Sequence, residues 1–99
     1  MINQKSPFVS VSIPVFNGCD YITYSINSVL EQSYTNFELL IVDNCSSDET
    51  QSIVENYNDE RIRYIRNNVN IGAINNFTKC VEMAAGDYFV LLPHDDILL

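Results

Sequence analysis

The chain has 99 residues, of which 46% are hydrophobic and 18% are charged, and this balance predicts one small globular domain rather than a disordered segment. Acidic side chains outnumber basic ones by 13 to 5, and the formal net charge of −8 argues against a nucleic-acid partner and against docking on an anionic membrane. Three widely spaced cysteines without a CxxC pair argue against a zinc ribbon or a disulfide framework. We therefore predict reduced thiols and a cytoplasmic location.

The first elements are a strand, a helix and a second strand. The β-rich segment Phe8–Val15 ends at the Phe-Asn-Gly breaker that follows it, which predicts a strand. Asp20 is expected to open an amphipathic helix, and the apolar residues of its face are Ile22, Ile26, Val29 and Leu30. The run Phe37–Asp43 lacks polar alternation, which is typical of a parallel strand covered on both faces.

The next elements are a second helix and a third strand. Ser46 and Glu49 fit a capping box, which predicts that the helix starts there. The apolar side of this helix is formed by Ile53, Val54 and Tyr57. The segment Arg61–Arg66 alternates between polar and apolar residues and predicts a strand near the edge of a sheet.

A third helix and a fourth strand complete the pattern. The apolar face predicted for this helix consists of Ile74, Phe77, Val81 and Ala84. Gly86 suits the left-handed position just past the end of a helix. The segment Asp87–Leu92 predicts the last strand. Strands that alternate with helices predict an α/β three-layer sandwich, with a mainly parallel four-stranded sheet in the order 3-2-1-4 and helices on both faces.

In such a sheet, ligands bind outside the carboxyl ends of the strands. The loops at this edge bring together an aromatic ring, several amides and several carboxylates, from Pro14, Phe16, Asn17, Asp43, Asn44, Asn67, Asn68, Asn70, Gly72, His94, Asp95 and Asp96. Asp43 ends the second strand, where an acid commonly meets a ribose or a base. Asp95 and Asp96 offer the hard oxygen ligands that Mg²⁺ or Mn²⁺ requires to bridge an acidic protein to a diphosphate.

Each of these residues, taken alone, also fits a structural role. Asp43 could cap a turn, Phe16 could belong to the core, and Asp95 with Asp96 could form a solvated turn. The first loop has one glycine and matches neither the Rossmann nor the P-loop pattern, so those nucleotide-binding classes are poor fits. The joint placement of the residues at one edge favours a ligand site.

Several segments carry a resemblance to a known family: Val9–Asn17, Ser28–Phe37, Glu38–Thr50, Asn70–Gly72 and Ala85–Leu98. In this order and spacing they resemble the N-terminal half of the family 2 glycosyltransferases, which have the GT-A fold, and they cover nearly the whole chain. The resemblance implies an enzyme that transfers a sugar from a nucleotide-diphosphate sugar, expected to be a UDP-sugar, to an acceptor in cell-surface polysaccharide synthesis.

The resemblance also implies roles for single residues at the donor. Pro14 and Phe16 would line the base pocket, with the Phe16 ring stacked on the base. Asp43 or Asn44 would form hydrogen bonds with the base and the ribose, and Asn17 belongs to the same substrate-binding set. The family often has two acids where this chain has Asp43-Asn44. Because an amide both donates and accepts hydrogen bonds, the base preference stays open.

The remaining roles concern the diphosphate and its metal. Gly72 would lie under the donor, where the backbone must approach it closely. Asp95 would coordinate Mg²⁺ or Mn²⁺ on the diphosphate, with Asp96 beside it. The first acid of the family's acid-x-acid motif falls on Pro93, which cannot bind a metal through its side chain. His94 would be a partial substitute, since Mg²⁺ prefers oxygen ligands, so we expect reduced metal affinity.

Two other functional classes fit the same residues poorly, and a third stays open. A phosphoacceptor receiver domain needs an acidic pair after the first strand, where this chain has Phe16-Asn17. A sugar nucleotidyltransferase is expected to have a glycine-rich first loop with an arginine, which is absent here. A non-catalytic GT-A-like domain that serves as a binding or assembly surface stays open, and the departure at Pro93-His94 favours it.

We interpret residues 1–99 as a single N-terminal nucleotide-sugar-binding domain truncated from a longer glycosyltransferase. The chain stops within the apolar run Ile97–Leu99, and we expect this truncated face to form homodimers. The catalytic base and the binding site for a sugar, lipid-linked or protein acceptor would lie in the missing part, so no catalytic residue is assigned. A peripheral position at the inner face of the membrane is compatible with the full-length protein.

Overall fold

Within residues 7–95, seven elements alternate between strand and helix. The computed structural model describes residues 7–95. The elements are β1 (Val9–Val15), α1 (Ile22–Leu30), β2 (Phe37–Asp43), α2 (Thr50–Glu55), β3 (Ile62–Arg66), α3 (Ala73–Met83) and β4 (Tyr88–Leu91). Each predicted strand is present, and its ends differ from the sequence prediction by no more than one residue.

The strands form one parallel sheet in the order β3-β2-β1-β4, which confirms the predicted topology. Val15 lies beside Asp43, and Asp43 lies beside Arg66, so the ends of β1, β2 and β3 are level. β4 pairs with the first part of β1, from Val9 to Ser12. The loops that follow the strands therefore meet at one edge of the sheet.

One face of the sheet carries the main hydrophobic core. Its buried side chains come from alternate positions of the strands and from α1 and α2, and they are Val11, Ile13, Val15, Ile22, Ile26, Val29, Phe37, Leu39, Ile41, Val54 and Leu92. The predicted face of α1 is confirmed, since Ile22, Ile26 and Val29 have no exposed surface. The helix itself begins at Ile22, two residues past Asp20.

The opposite face is packed by α3 around a small cluster of Leu40, Val42 and Cys80. The apolar face predicted for α3 is wrong, because its side chains are exposed or follow the end of the helix: Ile74, Phe77, Val81 and Ala84. The residues that α3 buries are Asn76 and Cys80. Asn76 Nδ2 donates to the Val42 carbonyl oxygen at 3.0 Å, so a hydrogen bond to β2 fixes the rotation of the helix.

The start of α2 differs from the prediction as well. The capping box at Ser46 and Glu49 is wrong, because the helix begins at Thr50. The Ser46 hydroxyl accepts a hydrogen bond from the Asn17 backbone N–H at 2.8 Å, so it is occupied by a neighbouring loop. Asp48 Oδ1 accepts the Thr50 N–H at 2.9 Å and places a carboxylate at the helix start.

Gly86 does not have the left-handed backbone predicted for it, because α3 ends in an extended conformation at Ala84. Its lack of a side chain serves a close approach. A Cβ at Gly86 would lie 2.6 Å from the Ser10 nitrogen and 2.8 Å from the Phe8 oxygen. The turn between α3 and β4 thus lies directly against β1.

A buried carboxylate holds this turn. Glu38 Oε2 accepts hydrogen bonds from the Ser10 hydroxyl at 2.5 Å and from the Ala85 N–H at 2.8 Å. Arg63 Nε lies 3.3 Å from Glu38 Oε1. The Gly86 N–H donates to the Ser10 hydroxyl oxygen at 2.8 Å. The α3 face of the sheet is therefore stabilised largely by polar contacts.

Two sequence predictions fall at the end of the chain. The run Ile97–Leu99, through which we expect homodimers, lies outside the described residues, as does Asp96. Within residues 7–95, no helix has the length and the hydropathy that a membrane crossing needs.

Candidate functional site

A cleft of about 490 Å³ opens at the carboxyl ends of β1 and β2, beside the start of α3. It is lined by Pro14, Val15, Phe16, Asn44, Asn70, Gly72, Ala73, Asn76, Phe77 and His94. Its volume lies within the range of roughly 300–1,000 Å³ that small-molecule sites occupy. The cleft stands at the edge of the sheet where the sequence predicts a ligand site.

The loop after β1 forms one wall of the cleft. Phe16 is 45% exposed, so its ring is available to a planar ligand. A Cβ at Gly18 would lie 2.6 Å from the His94 ring, so glycine allows the loops after β1 and β4 to pack together. The Ser25 hydroxyl donates to the His94 carbonyl oxygen at 2.7 Å and ties this wall to α1.

Asn17 supports the loops rather than lining the cleft. Its side-chain oxygen accepts the backbone N–H of Ser47 at 2.8 Å and that of Asp48 at 3.3 Å. Its own backbone has a φ of 51°, a conformation in which asparagine is several-fold enriched. Asn17 therefore joins the loop after β1 to the loop after β2, and its predicted contact with substrate stays a prediction.

Asp48 strengthens the same junction. Its carboxylate accepts the Thr50 hydroxyl at 2.6 Å and the Cys19 N–H at 3.1 Å. Although partial burial opposes ionisation, the hydrogen bonds from Thr50 and Cys19 lower the pKa of Asp48 to about 2. The nearby Thr50 hydroxyl oxygen accepts the Gly18 N–H at 3.0 Å. The junction thus depends on an ionised Asp48.

Asp43 has no exposed surface and does not line the cleft. Its carboxylate accepts the Tyr64 hydroxyl at 2.6 Å and the Ser46 N–H at 2.9 Å, and it lies 3.4 Å from Arg66 Nη1. Burial and the bond to Asp43 raise the pKa of the Tyr64 hydroxyl. Asp43 therefore holds the end of β2 to β3, and its contact with a base or ribose stays a prediction.

Asn44 is one of the buried polar side chains that line the cleft, and it is 3% exposed. Its oxygen accepts hydrogen bonds from Asn67 Nδ2 at 3.0 Å and from the Ile71 N–H at 2.9 Å. Its nitrogen donates to Asn70 Oδ1 at 2.8 Å. The residue after β2 thus fixes the whole loop that leads from β3 to α3.

The network continues into α3. Asn67 Nδ2 also donates to Asn76 Oδ1 at 2.8 Å, and Asn76 Nδ2 donates to the Val42 oxygen. Lys79 Nζ donates to Asn67 Oδ1 at 2.6 Å. Because α3, β2 and the β3–α3 loop share these bonds, the floor of the cleft is a rigid arrangement of amides.

Gly72 stands at the mouth of the cleft, immediately before α3. Its φ of +87° lies in the left-handed region, and beyond its immediate chain neighbours no atom lies within 4 Å of the position that a Cβ would take. The Gly72 N–H donates to Asn70 Oδ1 at 2.8 Å. The backbone here is open to a ligand, and the amide dipoles of α3 favour negative charge at its start.

The metal ligands predicted from the sequence are only partly described. Asp95 is exposed and follows β4 at the same edge of the sheet, while Asp96 lies outside the described residues. Residues 7–95 contain no group of three potential ligands close enough to hold an ion on their own. A single exposed carboxylate such as Asp95 is compatible with an ion that the diphosphate also coordinates, since Mg²⁺ is commonly held by one or two carboxylates plus phosphate oxygens.

Comparison with known families shows to which family the chain belongs. The sequence model described as "Glycosyl transferase family 2" matches residues 10–99. The chain belongs to glycosyl transferase family 2. The resemblance carried by its sequence segments is therefore confirmed.

Two relatives illustrate the family. The chain is 43% identical over 98 residues to the putative teichuronic acid biosynthesis glycosyltransferase TuaG of Bacillus subtilis, covering 97% of this chain and 38% of TuaG. It is 31% identical to S. aureus TarS 1-349, solved in complex with UDP-GlcNAc, with a TM-score of 0.84 over 90% of this chain and 27% of that chain. The chain thus spans well under half the length of either relative.

A third protein supports the fold alone. The mannosyltransferase PcManGT of Pyrobaculum calidifontis, solved with GDP-Man and Mn²⁺, matches with a TM-score of 0.84 at 24% identity, over 94% of this chain and 29% of that chain. The sheet order and these neighbours confirm a partial GT-A fold for this family 2 chain.

Sequence reasoning missed several residues of the site. Asn76 and Lys79 complete the amide network, and Phe77 lines the cleft. Phe77 could not be recognised as a cleft residue from the sequence, because its spacing fits an apolar helix face. The signal that could have revealed the network is the density of asparagine around the start of α3, including Asn75-Asn76 in its first turn.

Proposed function

We propose that the protein is a glycosyltransferase that takes its sugar from a nucleotide-diphosphate donor, expected to be a UDP-sugar, and that this chain binds the donor. The observation that carries the proposal is the open cleft at the carboxyl edge of the sheet in a member of family 2. Two relatives support the finer assignment. TuaG is named for teichuronic acid biosynthesis, and TarS was solved with UDP and with UDP-GlcNAc. We extend this to cell-surface polysaccharide synthesis.

The base is proposed to bind between Phe16 and Asn44. The Phe16 ring is exposed in the cleft, and stacking on an aromatic side chain contributes about 1–3 kcal/mol per base. Pro14 extends the same apolar wall, and Asn44 supplies a polar group that lines the cleft. Asp43 and Asn17 would then act indirectly, by holding β2 and the loops after β1 and β2 in place.

The diphosphate is proposed to lie towards Gly72 and Asp95. Gly72 leaves open space where the backbone meets the ligand, and α3 begins directly after it. The chain carries a net charge of −8, so a diphosphate needs a cation beside it. Asp95, with Asp96, would hold Mg²⁺ or Mn²⁺, and that ion would stabilise the charge of the departing diphosphate.

The chemistry of transfer needs groups that we do not assign to this chain. A base that removes the proton from the acceptor hydroxyl is proposed to lie in the part of the family's length that the chain does not span. The role of residues 1–99 is then to bind and orient the donor, and the acceptor is a sugar, a lipid-linked group or a protein. We further propose a cytoplasmic location, with a peripheral position at the inner membrane face for the full-length protein.

A second candidate function rests on Pro93 and His94, which replace the first part of the family's acidic motif. With fewer oxygen ligands, the protein would keep the fold as a non-catalytic binding or assembly domain. Binding of a nucleotide diphosphate that depends on a divalent ion separates the two functions, because an assembly domain has no need of that dependence.

Titration calorimetry with UDP, in Mn²⁺ and in EDTA, tests the proposal. We expect Mn²⁺ to strengthen binding, Asp95→Ala to remove most of this effect, and Phe16→Ala to weaken binding in both conditions. Glu60→Ala and Tyr88→Ala are matched controls, since both side chains are exposed at the opposite edge of the sheet. Equal affinity in Mn²⁺ and EDTA would contradict the role of Asp95, and absence of binding would contradict the donor site.

A further inference from the structure

A second groove, the α1–β4 groove, lies on the face of the sheet that α1 covers, and it shares no lining residue with the cleft. Its volume is about 120 Å³, and it is lined almost entirely by apolar side chains: Val9, Val11, Val29, Gln32, Tyr34, Phe37 and Val90. Small-molecule sites usually have volumes of roughly 300–1,000 Å³. The groove is too small for such a ligand, and its size and lining suit apolar side chains.

The groove continues onto an uncovered part of β4. Val90 pairs with Val11, so its side chain points to the face of the sheet that α1 covers. It is nevertheless 37% exposed, and Tyr88, on the same face, is 63% exposed. β4 pairs with β1 on one side, and among residues 7–95 no strand pairs with its other side. This face of β4 thus presents apolar surface that the described part of the chain does not cover.

The chain leaves β4 on the α1 side of the sheet. Leu92 is 5% exposed and belongs to the core under α1. The His94 carbonyl oxygen accepts the Ser25 hydroxyl at 2.7 Å, which places residue 94 against α1. Residues four positions apart share one side of a helix, so Val29, which lines the groove, follows Ser25 along α1. The side of α1 that contacts His94 therefore leads to the groove.

The length of the segment that follows matches this distance. Val29 lies one helical turn beyond Ser25, about 6 Å along the axis of α1 at a rise of about 1.5 Å per residue. The sequence continues past Asp95 with one more acid and the apolar run Ile97–Leu99. Four extended residues span about 13 Å, which is enough to bring this run to the groove. Docking there would remove its apolar side chains from water.

We propose that the α1–β4 groove is the docking site of Ile97–Leu99 of the same chain, and that this contact anchors the loop that carries Asp95 and Asp96. A segment tethered by so few residues has an effective concentration in the millimolar range, which favours docking within one chain. A second copy would bring another net charge of −8 to the contact. The homodimer expected from the sequence uses the same run, and it is the competing occupant.

The anchoring rests on the proposed function, whereas the docking does not. Asp95 is exposed and directly follows His94, whose carbonyl oxygen is held by Ser25. With Ile97–Leu99 docked, the two acids stand between two fixed points. A cation then binds carboxylates that are already ordered, and less conformational freedom is lost on binding. Docking should therefore strengthen the effect of Mn²⁺ on nucleotide binding.

The first test measures the contact itself, by nuclear Overhauser spectroscopy on the chain with labelled methyl groups. We expect cross-peaks between the methyl groups of Ile97–Leu99 and those of Val29 and Val90. A mixture of labelled and unlabelled chains separates contacts within one copy from contacts between two copies. Cross-peaks that arise only between copies would show a homodimer, and a lack of cross-peaks would leave the groove without this occupant. Either result overturns the docking.

The second test measures how strongly the run and the groove depend on each other. A triple-serine variant, with Ile97→Ser, Leu98→Ser and Leu99→Ser, should have a Tm about 4–8 °C lower than wild type, because it loses an apolar contact. Val90→Thr adds a hydroxyl to the groove, so it should lower Tm in wild type and have a clearly smaller effect in the triple-serine variant. Equal effects in both backgrounds would contradict docking in the groove.

Val81→Thr is the matched control for this test. It makes the same exchange at a side chain that is 48% exposed on α3, and α3 packs on the other face of the sheet. Because Val81 is remote from the groove, its substitution should change Tm equally in wild type and in the triple-serine variant. An effect that differs between the two backgrounds would show that the coupling is not specific to the groove, and would overturn the docking.

The third test concerns the anchoring of Asp95 and Asp96, and it uses calorimetry with UDP. We expect the triple-serine variant to bind UDP in EDTA as wild type does. The strengthening that Mn²⁺ produces should fall by about threefold to tenfold, the effect of ordering one flexible side chain on binding. Val81→Thr should retain the full Mn²⁺ effect. A folded triple-serine variant with an unchanged Mn²⁺ effect would overturn the anchoring.

These outcomes separate the docking from the proposed function. If wild type does not bind UDP, the proposed function and the anchoring fail together, while the methyl contacts and the Tm values still decide the docking. If wild type binds UDP and the methyl contacts are absent, the docking fails and the proposed function stands. Circular dichroism establishes folding, and Leu98→Ser alone carries the second and third tests if the triple-serine variant does not fold.

Discussion

The two faces of the sheet are built in different ways. The face covered by α1 and α2 is a continuous hydrophobic core, in which Ile22, Ile26 and Val29 are completely buried. The face covered by α3 has a small apolar cluster and is held by Asn76, Glu38 and the hydrogen bonds around them. The polar face also borders the cleft, and Asn76, which attaches the first turn of α3 to β2, belongs to the amide network of the candidate site.

The difference shows what a hydrophobic pattern can and cannot indicate. On α1 the apolar face and the buried face are the same, because the surface of the sheet that α1 covers is apolar. On α3 the apolar face is exposed, since the helix is oriented by amides at the strand ends. Ile74 and Phe77 are therefore exposed although their spacing is that of a core face.

The largest difference between the two faces should appear when one isoleucine is truncated on each helix. Ile26→Ala should lower the free energy of unfolding by about 2–5 kcal/mol, because it leaves a cavity in the main core. Ile74→Ala should change it by no more than about 0.5 kcal/mol, since that side chain is 82% exposed. Urea unfolding of both variants measures the two values. Equal losses would show that α3 buries its apolar face.

A smaller effect is expected at the polar face. Glu38→Leu removes the acceptor for the Ser10 hydroxyl and the Ala85 N–H, and we expect a loss of about 1–3 kcal/mol in the free energy of unfolding. No contribution is added for the ion pair with Arg63, whose side chain is 42% exposed. Glu82→Leu on the exposed side of α3 is the matched control. A stable Glu38→Leu variant would place the stability of this face in its apolar cluster.

The smallest expected effect is the dependence on acid at the junction of the first two loops. The pKa of Asp48 is lowered from 3.8 to about 2, so its contribution is complete above pH 3.8 and is lost as pH falls through 2. After allowance for its partial exposure we expect about 1 kcal/mol. Between pH 5 and pH 2, the unfolding temperature should fall more steeply in wild type than in Asp48→Asn. Parallel curves would contradict the role of this carboxylate.

The position of the candidate site could be predicted from the sequence, but only some of the residues that form it could. Strand periodicity and the parallel order place Pro14, Phe16, Asn44 and Gly72 at one edge, and all of them line the cleft. Asp43 looks equivalent to Asn44 in sequence, but successive residues of a strand face opposite sides of the sheet. Its carboxylate therefore lies in the layer of Tyr64, away from the cleft.

The sequence was sufficient to predict the succession of strands and helices, the parallel order and the burial of α1, because period and turn chemistry are local properties that later packing did not oppose. It also determined the family, since the matching segments lie in order along the chain. Three features could be read only from the folded chain: the rotation of α3, the start of α2 and the hydrogen bonds of the amide network. Each of these depends on which group satisfies a hydrogen bond from a distant segment, as Asn76 does for Val42 and Ser46 for Asn17. Such pairings have no period, and they exist only after the strands have brought the segments together.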